Sequence, residues 1–127
     1  MKILIVDDEP RFGQLLALVL RRALRTAQPK LALSGAEALA VMQPEPPDIL
    51  ITDTNMSPMD GITLIRNVRQ NYPDVLIVSL FSGLVGSTIT KADVQAMGVY
   101  SVLEKSEIEA KMLPMLGALV SHKLNSN

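Results

Sequence analysis

The chain has no cysteine and no tryptophan, two Phe, two Tyr and a single histidine, His122, in 127 residues. Without cysteine there is no disulfide framework, no thiol nucleophile and no thiolate-bound zinc, and the lack suits a reducing compartment. One histidine excludes a histidine-cluster metal site. Aromatics make up 3%, too few for a base-stacking platform. Neither sign of charge is in excess. Twelve Lys+Arg face 13 Asp+Glu, for a formal net charge of −1. No global basic field exists to neutralise phosphates, so direct nucleic-acid binding by this domain is not expected. Long apolar runs are missing too. Residues 15–20 form an apolar run far short of the about 18–20 residues that span a bilayer. The run from Ile3 ends at Val6 before Asp7, Asp8 and Glu9, short of the about 7–15 residues of a signal-peptide core. The expectation is a cytoplasmic protein without membrane insertion.

What is present is a core. The hydrophobic fraction is 48% and mean hydropathy is +0.27, which excludes a disordered chain. This length fits one domain that buries about two-thirds of its unfolded surface. The expected domain covers residues 1–121, with a polar C-terminal tail at 122–127 that frays.

Strand and helix signals alternate. Ile3 to Val6 is a continuous apolar run, as in a strand buried on both faces. Pro10 opens a helix, where its missing N–H costs nothing. Phe12, Leu15, Leu16, Val19, Leu20 and Ala23 form its apolar stripe, with Arg21, Arg22 and Arg25 on a solvated face. Residues 30–33 read as a weak edge strand. Ser34 with Glu37 is a capping-box pattern for a helix over 36–42, stopped before Pro44, Pro46 and Pro47. Strands follow at 49–52, 75–81 and 99–103. Asp60-Gly61 precedes a third helix, 90–97 forms a fourth stopped by Gly98, and 107–120 a fifth with a kink at Pro114. Met112 and Met115 read as core. Five strands alternating with five helices imply an α/β fold, a parallel sheet with helices on both faces. Its functional crevice lies beyond the carboxyl ends of the strands.

The strand ends are acidic. The first ends in Asp7-Asp8-Glu9 and the third in Asp53, while Lys105 follows the fifth. Each has a bland reading: an acidic helix N-terminus, a turn at Asp53-Thr54-Asn55 or Asp60-Gly61, a solvated lysine. Their joint placement on three strands points further. Converging carboxylates repel unless a cation neutralises them. An all-oxygen set with room for water suits Mg²⁺. A metal, a lysine and a spare Asp53 oxygen are what phosphoryl transfer to a carboxylate requires, with Asp53 as nucleophile.

Three segments carry a family resemblance. They are Ile3-Leu4-Ile5-Val6-Asp7-Asp8-Glu9-Pro10, the stretch from Asp48 through Asp53-Thr54-Asn55-Met56-Ser57-Pro58-Met59-Asp60-Gly61, and Gly98 through Leu103-Glu104-Lys105. In this order and spacing the chain, from Lys2 to Val120, resembles a response-regulator receiver domain of two-component signalling, of the chemotaxis-regulator kind. The resemblance implies a flavodoxin-like five-stranded parallel sheet in the order 2-1-3-4-5. It implies Asp53 as phosphoacceptor and Mg²⁺, with Mn²⁺ as a substitute, held by Asp8, by Asp7 through water, by Asp53 and by the Asn55 carbonyl. Lys105 would pair with Asp53 and then with the phosphoryl group. The implied donor is a phosphohistidine on a sensor histidine kinase or phosphotransfer protein. The implied receiver of the signal is a downstream protein target or output domain, and a homodimer is left open.

Three departures stand out. The Thr or Ser that the family places at the end of strand four falls on Phe81. Ser82, one residue later, needs the smallest adjustment and is the hydroxyl expected there, with Ser79, two residues before Phe81, or no hydroxyl at all as the alternatives. Phe81 is expected to turn into the core. Val102 takes the place of the switch aromatic, with Tyr100 nearby. Ser106 replaces the proline after the lysine, and because a cis Lys-Ser bond costs about 2.5–4 kcal/mol, a trans bond and a reshaped loop are expected.

The leading reading is a phosphorylation-switched receiver whose only catalysis is its own phosphorylation and dephosphorylation. The alternative is a pseudo-receiver, a binding module with the same fold not regulated by phosphate. A flavin-binding or hydrolase reading is weaker, since the loop after strand one is acidic and would repel a flavin phosphate.

Overall fold

The apolar runs between charged strand ends become the sheet. In the computed structural model, which describes residues 1–54, 61–81 and 90–125 with side chains through 121, strands and helices alternate. The order is β1 (Lys2–Val6), α1 (Pro10–Ala23), β2 (Gln28–Ala32), α2 (Gly35–Met42), β3 (Ile49–Asp53), α3 (Gly61–Asn71), β4 (Leu76–Phe81), α4 (Lys91–Gln95), β5 (Ser101–Glu104) and α5 (Leu113–Asn125). The strands form one parallel sheet in the order β2-β1-β3-β4-β5, the flavodoxin-like arrangement expected.

Side chains alternate across a strand, so each central strand feeds two cores. Ile3, Ile5, Ile49, Ile51, Val78, Leu80 and Leu103 pack with Leu16, Ala17 and Leu20 of α1 and with Met112, Leu116 and Leu119. Leu4, Val6, Leu50 and Ile77 pack on the opposite face with Ala38 and Met42 of α2, Leu64, Ile65 and Val68 of α3, and Val94 of α4. Each fully buried Leu, Ile or Val contributes about 1.5–3 kcal/mol relative to exposure. The two layers therefore fix which face every strand residue takes.

The helix termini follow local chemistry. Pro10 stands in the first turn of α1. The Ser34 side chain accepts the Glu37 N–H at 3.1 Å, while Glu37 reaches back to the Leu33 N–H at 3.3 Å, one residue before the cap. Thr90 and Asp93 form a complete capping box at α4. Gly98 follows with φ +84°, a left-handed conformation that glycine adopts without a Cβ clash. β2 is an edge strand, and its Pro29, paired with Ile3, is tolerated there because an edge residue can lack a donor.

Two expectations are corrected. The α1 stripe is narrower than its apolar residues suggest: Gly13, Leu16, Ala17 and Leu20 are buried, whereas Leu15 is 60% exposed and Ala23 is exposed. Gly13 sits against β2, where a Cβ would lie 3.2 Å from Leu31, and turning that glycine inward rolls Leu15 out. The fifth helix does not begin as an α-helix. Lys105–Glu107 is a 3₁₀ turn, Ile108–Met112 a π turn, and α5 proper runs from Leu113 to Asn125, past the expected end at Val120. Pro114 stands second in α5, so its missing N–H falls at the junction between the π turn and the α-helix.

Candidate functional site

Register and alternation bring the charged residues together. Ile5 pairs with Ile51 across β1 and β3, and Leu80 pairs with both Asp53 and Leu103. Ile5, Ile51 and Leu103 all belong to the α1–α5 core layer. Asp7, Asp53 and Lys105 each lie two residues beyond one of these, so all three take the same face at the same end of the sheet.

There they form a tight constellation. Asp7 and Asp53 are 2% and 3% exposed. The Lys105 Nζ stands 2.9 Å from Asp7 Oδ2 and 3.2 Å from Asp53 Oδ2, with Glu9 Oε2 at 3.9 Å. Asp7 Oδ1 accepts the Glu9 N–H at 2.8 Å, which fixes the carboxylate as the chain turns into α1. Burial alone would lower the Lys105 pKa. The hydrogen bond to Asp7, the charge of Asp53, the charge of Asp7 and the hydrogen bond to Asp53 together outweigh it, and the pKa stands above its ordinary value.

Carboxylate oxygens of Asp7, Asp8 and Asp53 lie within 4.8 Å of one another. Asp8 is exposed and, among the described residues, has no ion-pair partner. Asp7 Oδ2 is buried and makes its ion pair with Lys105 at 2.9 Å. Three oxygen donors that one ammonium incompletely neutralises fit a hard divalent cation such as Mg²⁺.

The remaining expected positions fall as follows. Asn55 and Ser82 lie outside the described residues. Ser79 pairs with Thr52 and takes the face opposite Asp53. It is fully buried, and its Oγ has no hydrogen-bond partner among the described residues. Phe81 is half-buried against the α2–α3 layer, as is Val102. Tyr100 is 50% exposed.

Three contributors were not singled out from the sequence. Phe12 lies under Lys105, its ring centroid 4.3 Å from Nζ, an attraction of about 0.5–1 kcal/mol or more. The helical period assigned Phe12 to the core stripe, and only its place in the first turn of α1, beside a strand end, hinted otherwise. Thr54 returns the chain to β4 by donating its N–H to the Leu80 carbonyl at 3.0 Å. Gly61 starts α3 against the backbone of Asp53, where a Cβ would sit 1.8 Å from the Asp53 carbonyl oxygen. Any other residue there must displace the strand end. The signal was the dipeptide Asp60-Gly61, which reads as an ordinary turn.

The family model of the response regulator receiver domain matches residues 3–116. This chain belongs to the receiver family. It is a receiver domain of two-component response regulators. The receiver is 31% identical over 107 residues to a protein-glutamate methylesterase/protein-glutamine glutaminase of Hahella chejuensis, a match over 84% of this chain and 30% of that protein. It is 40% identical over 77 residues to the transcriptional regulatory protein BaeR of Escherichia coli, over 61% of this chain and 31% of the relative. The chain thus spans about a third of the length of these curated relatives. Among solved structures, the chemotaxis protein CheY4 of Vibrio cholerae superposes with a TM-score of 0.78 at 29% identity, covering 92% of this chain and 96% of that one. The signal receiver domain of a DNA-binding response regulator from Colwellia psychrerythraea reaches 0.84 at 20% identity, covering 95% and 98%, and supports the fold alone.

Proposed function

We propose that this receiver takes a phosphoryl group from a phosphohistidine partner onto Asp53, in a Mg²⁺-dependent reaction, and that the added charge switches a protein-binding surface. The observation that carries the reading is the Asp53 carboxylate, nearly buried at a strand end, 3.2 Å from Lys105 and clustered with two further carboxylates. Asp7, Asp8 and Asp53 would hold the cation, with the Asn55 carbonyl as an expected further ligand outside the described residues. The bound cation supplies positive charge against the phosphoryl oxygens.

The chain's own residues do the rest. Lys105 holds the Asp53 carboxylate in place by charge, and an Asp53 oxygen attacks phosphorus. The new P–O bond forms as the P–N bond to the partner imidazole breaks, and the imidazole keeps the bonding pair. Lys105 then stays as an ammonium beside the phosphoryl group, its protonation favoured by Asp7 and Asp53. Phe12 covers its other side. Ser82 is our choice for the hydroxyl that contacts the phosphoryl group, because Ser79 takes the opposite face. The partners expected are a sensor histidine kinase or phosphotransfer protein and a downstream target or output domain. No catalysis beyond the domain's own phosphorylation and dephosphorylation is proposed.

The test is incubation with Mg²⁺ and acetyl phosphate followed by intact mass. One phosphoryl increment is expected, absent when the cation is chelated and absent in Asp53→Asn. Labelling of Asp53→Asn at the wild-type level overturns the assignment. Absence of labelling in the wild type, with fold and Mg²⁺ binding intact, favours the pseudo-receiver reading, which draws its support from Val102 in place of an aromatic.

A further inference from the structure

The opposite end of the sheet carries the opposite charge. Lys2 opens β1 and Asp7 follows its end, roughly 16 Å apart at the rise of an extended strand. Around Lys2 the edge strand β2, the end of α1 and the segment after α2 enclose an open hollow of about 660 Å³, within the range of about 300–1,000 Å³ typical of small-molecule sites. Its rim carries four cations, Lys2, Arg21, Arg25 and Lys30, against one carboxylate, Glu45, in a chain whose net charge is −1. Glu45 is taken by Lys2. Arg25 and Lys30 have no acidic partner among the described residues. Arg21 Nη2 donates to the Pro29 carbonyl at 3.4 Å, which lays the guanidinium along the β2 edge with other donors unused. Ala27, Pro29, Val41 and Pro47 supply an apolar wall.

We infer that this hollow binds a small phosphate-bearing molecule, at a site separate from Asp53. Two arginines and a lysine around one concavity match the charge and oxygen geometry of a diphosphate or phosphomonoester, since guanidinium binds phosphate bidentately. A β-strand of a partner is a poor occupant. The Gln28 N–H already points to the Met1 carbonyl of the neighbouring strand. Alternation therefore turns position 29 outward, where proline has no donor to offer an added strand. Nucleic acid is a poor occupant as well, because no aromatic side chain lines the hollow. The apolar wall favours a ligand with an organic body over a bare ion.

The experiment is calorimetric titration of the intact chain with pyrophosphate and with ADP, without Mg²⁺ and at moderate salt, against citrate as an anion of different geometry. Saturable one-to-one binding is expected for pyrophosphate and ADP, with citrate at least tenfold weaker. The double substitution Arg25→Gln with Lys30→Gln should weaken pyrophosphate at least tenfold while acetyl-phosphate labelling at Asp53 and thermal unfolding stay as in the wild type. No saturable binding overturns the inference, as does equal affinity for all three anions or an unchanged affinity in the double variant. Labelling at Asp53 is read separately, so failure of the phosphoacceptor reading and failure of this site are distinguishable.

Discussion

The two faces of the sheet carry different chemistry at their carboxyl end. On the α1–α5 face, Lys105 pairs with Asp7, with Asp53 and with Glu9. On the α2–α4 face at the same level, Thr52 turns its hydroxyl to the Asp53 carbonyl at 3.0 Å, Ser79 is buried without a hydrogen-bond partner among the described residues, and Phe81 and Val102 pack as apolar groups. A strand residue and its neighbour thus enter opposite environments, one electrostatic and one nearly dry. The first face is arranged around charge. The second is arranged around packing, with Val102 and not an aromatic side chain at that position.

The charged face should respond most strongly to substitution. Asp8→Ala should weaken Mg²⁺ by more than the roughly 10–100-fold typical of losing even a ligand's supporting partner, while stabilising the metal-free protein by relieving carboxylate repulsion. Metal titration and thermal unfolding of the same variant check both halves, and unchanged affinity removes Asp8 as a ligand. Lys105→Met leaves Asp7 and Asp53 without their cation. Breaking a buried ion pair costs about 3–5 kcal/mol. Because the Lys105 side chain is 24% exposed, a loss nearer about 1–3 kcal/mol is expected, partly recovered on adding Mg²⁺. Denaturant unfolding with and without the cation reads it.

Backbone geometry comes next. Gly61→Ala should destabilise by about 1–3 kcal/mol, the usual range for overpacking, and should slow Asp53 labelling more than a surface substitution of equal cost. Equal stability in denaturant unfolding would rule out the close approach of Gly61 to the Asp53 carbonyl.

The second face should respond weakly. Ser79→Ala removes a buried hydroxyl that has no partner among the described residues, so stability should hold or rise by up to about 1 kcal/mol, with labelling unchanged. A large loss of labelling would place Ser79 at the site and Ser82 away from it. The smallest effect belongs to the start of α4. The Thr90 backbone N–H, then its side chain, hold the Asp93 carboxyl below its ordinary value of 3.8. A depressed carboxyl stabilises the folded state fully above that ordinary value, and the contribution is lost as pH falls through the folded pKa. Asp93→Asn should therefore remove part of the acid dependence of α4 exchange protection below about pH 4 and change nothing at neutral pH.

Much of this was legible in the residues. Ile3 to Val6 and Ile49 to Ile51 are apolar on both faces because both faces are covered, and the acidic and basic residues that follow the strands mark their ends. Asp7, Asp8, Asp53 and Lys105 could be named as candidates for that reason. The hydroxyl after strand four was less legible, because Phe81 occupies its column and the alternatives differ by one or two residues. Periodicity also misjudged Leu15, since it counts apolar residues and does not see which way a helix rolls.

The alternation of elements, the composition of two cores and the kinds of charge at the strand ends depend on local pattern and on hydrophobicity, and the residues alone carry them. That Ser79 and Asp53 take opposite faces, that Phe12 lies under Lys105 and that Gly61 touches the Asp53 carbonyl emerged with the folded arrangement. It alone also gathered Lys2, Arg21, Arg25 and Lys30 around one hollow. Each of these rests on strand register or on contact between residues distant in the chain. Such contacts are set by how whole layers pack, and no local window of residues encodes them.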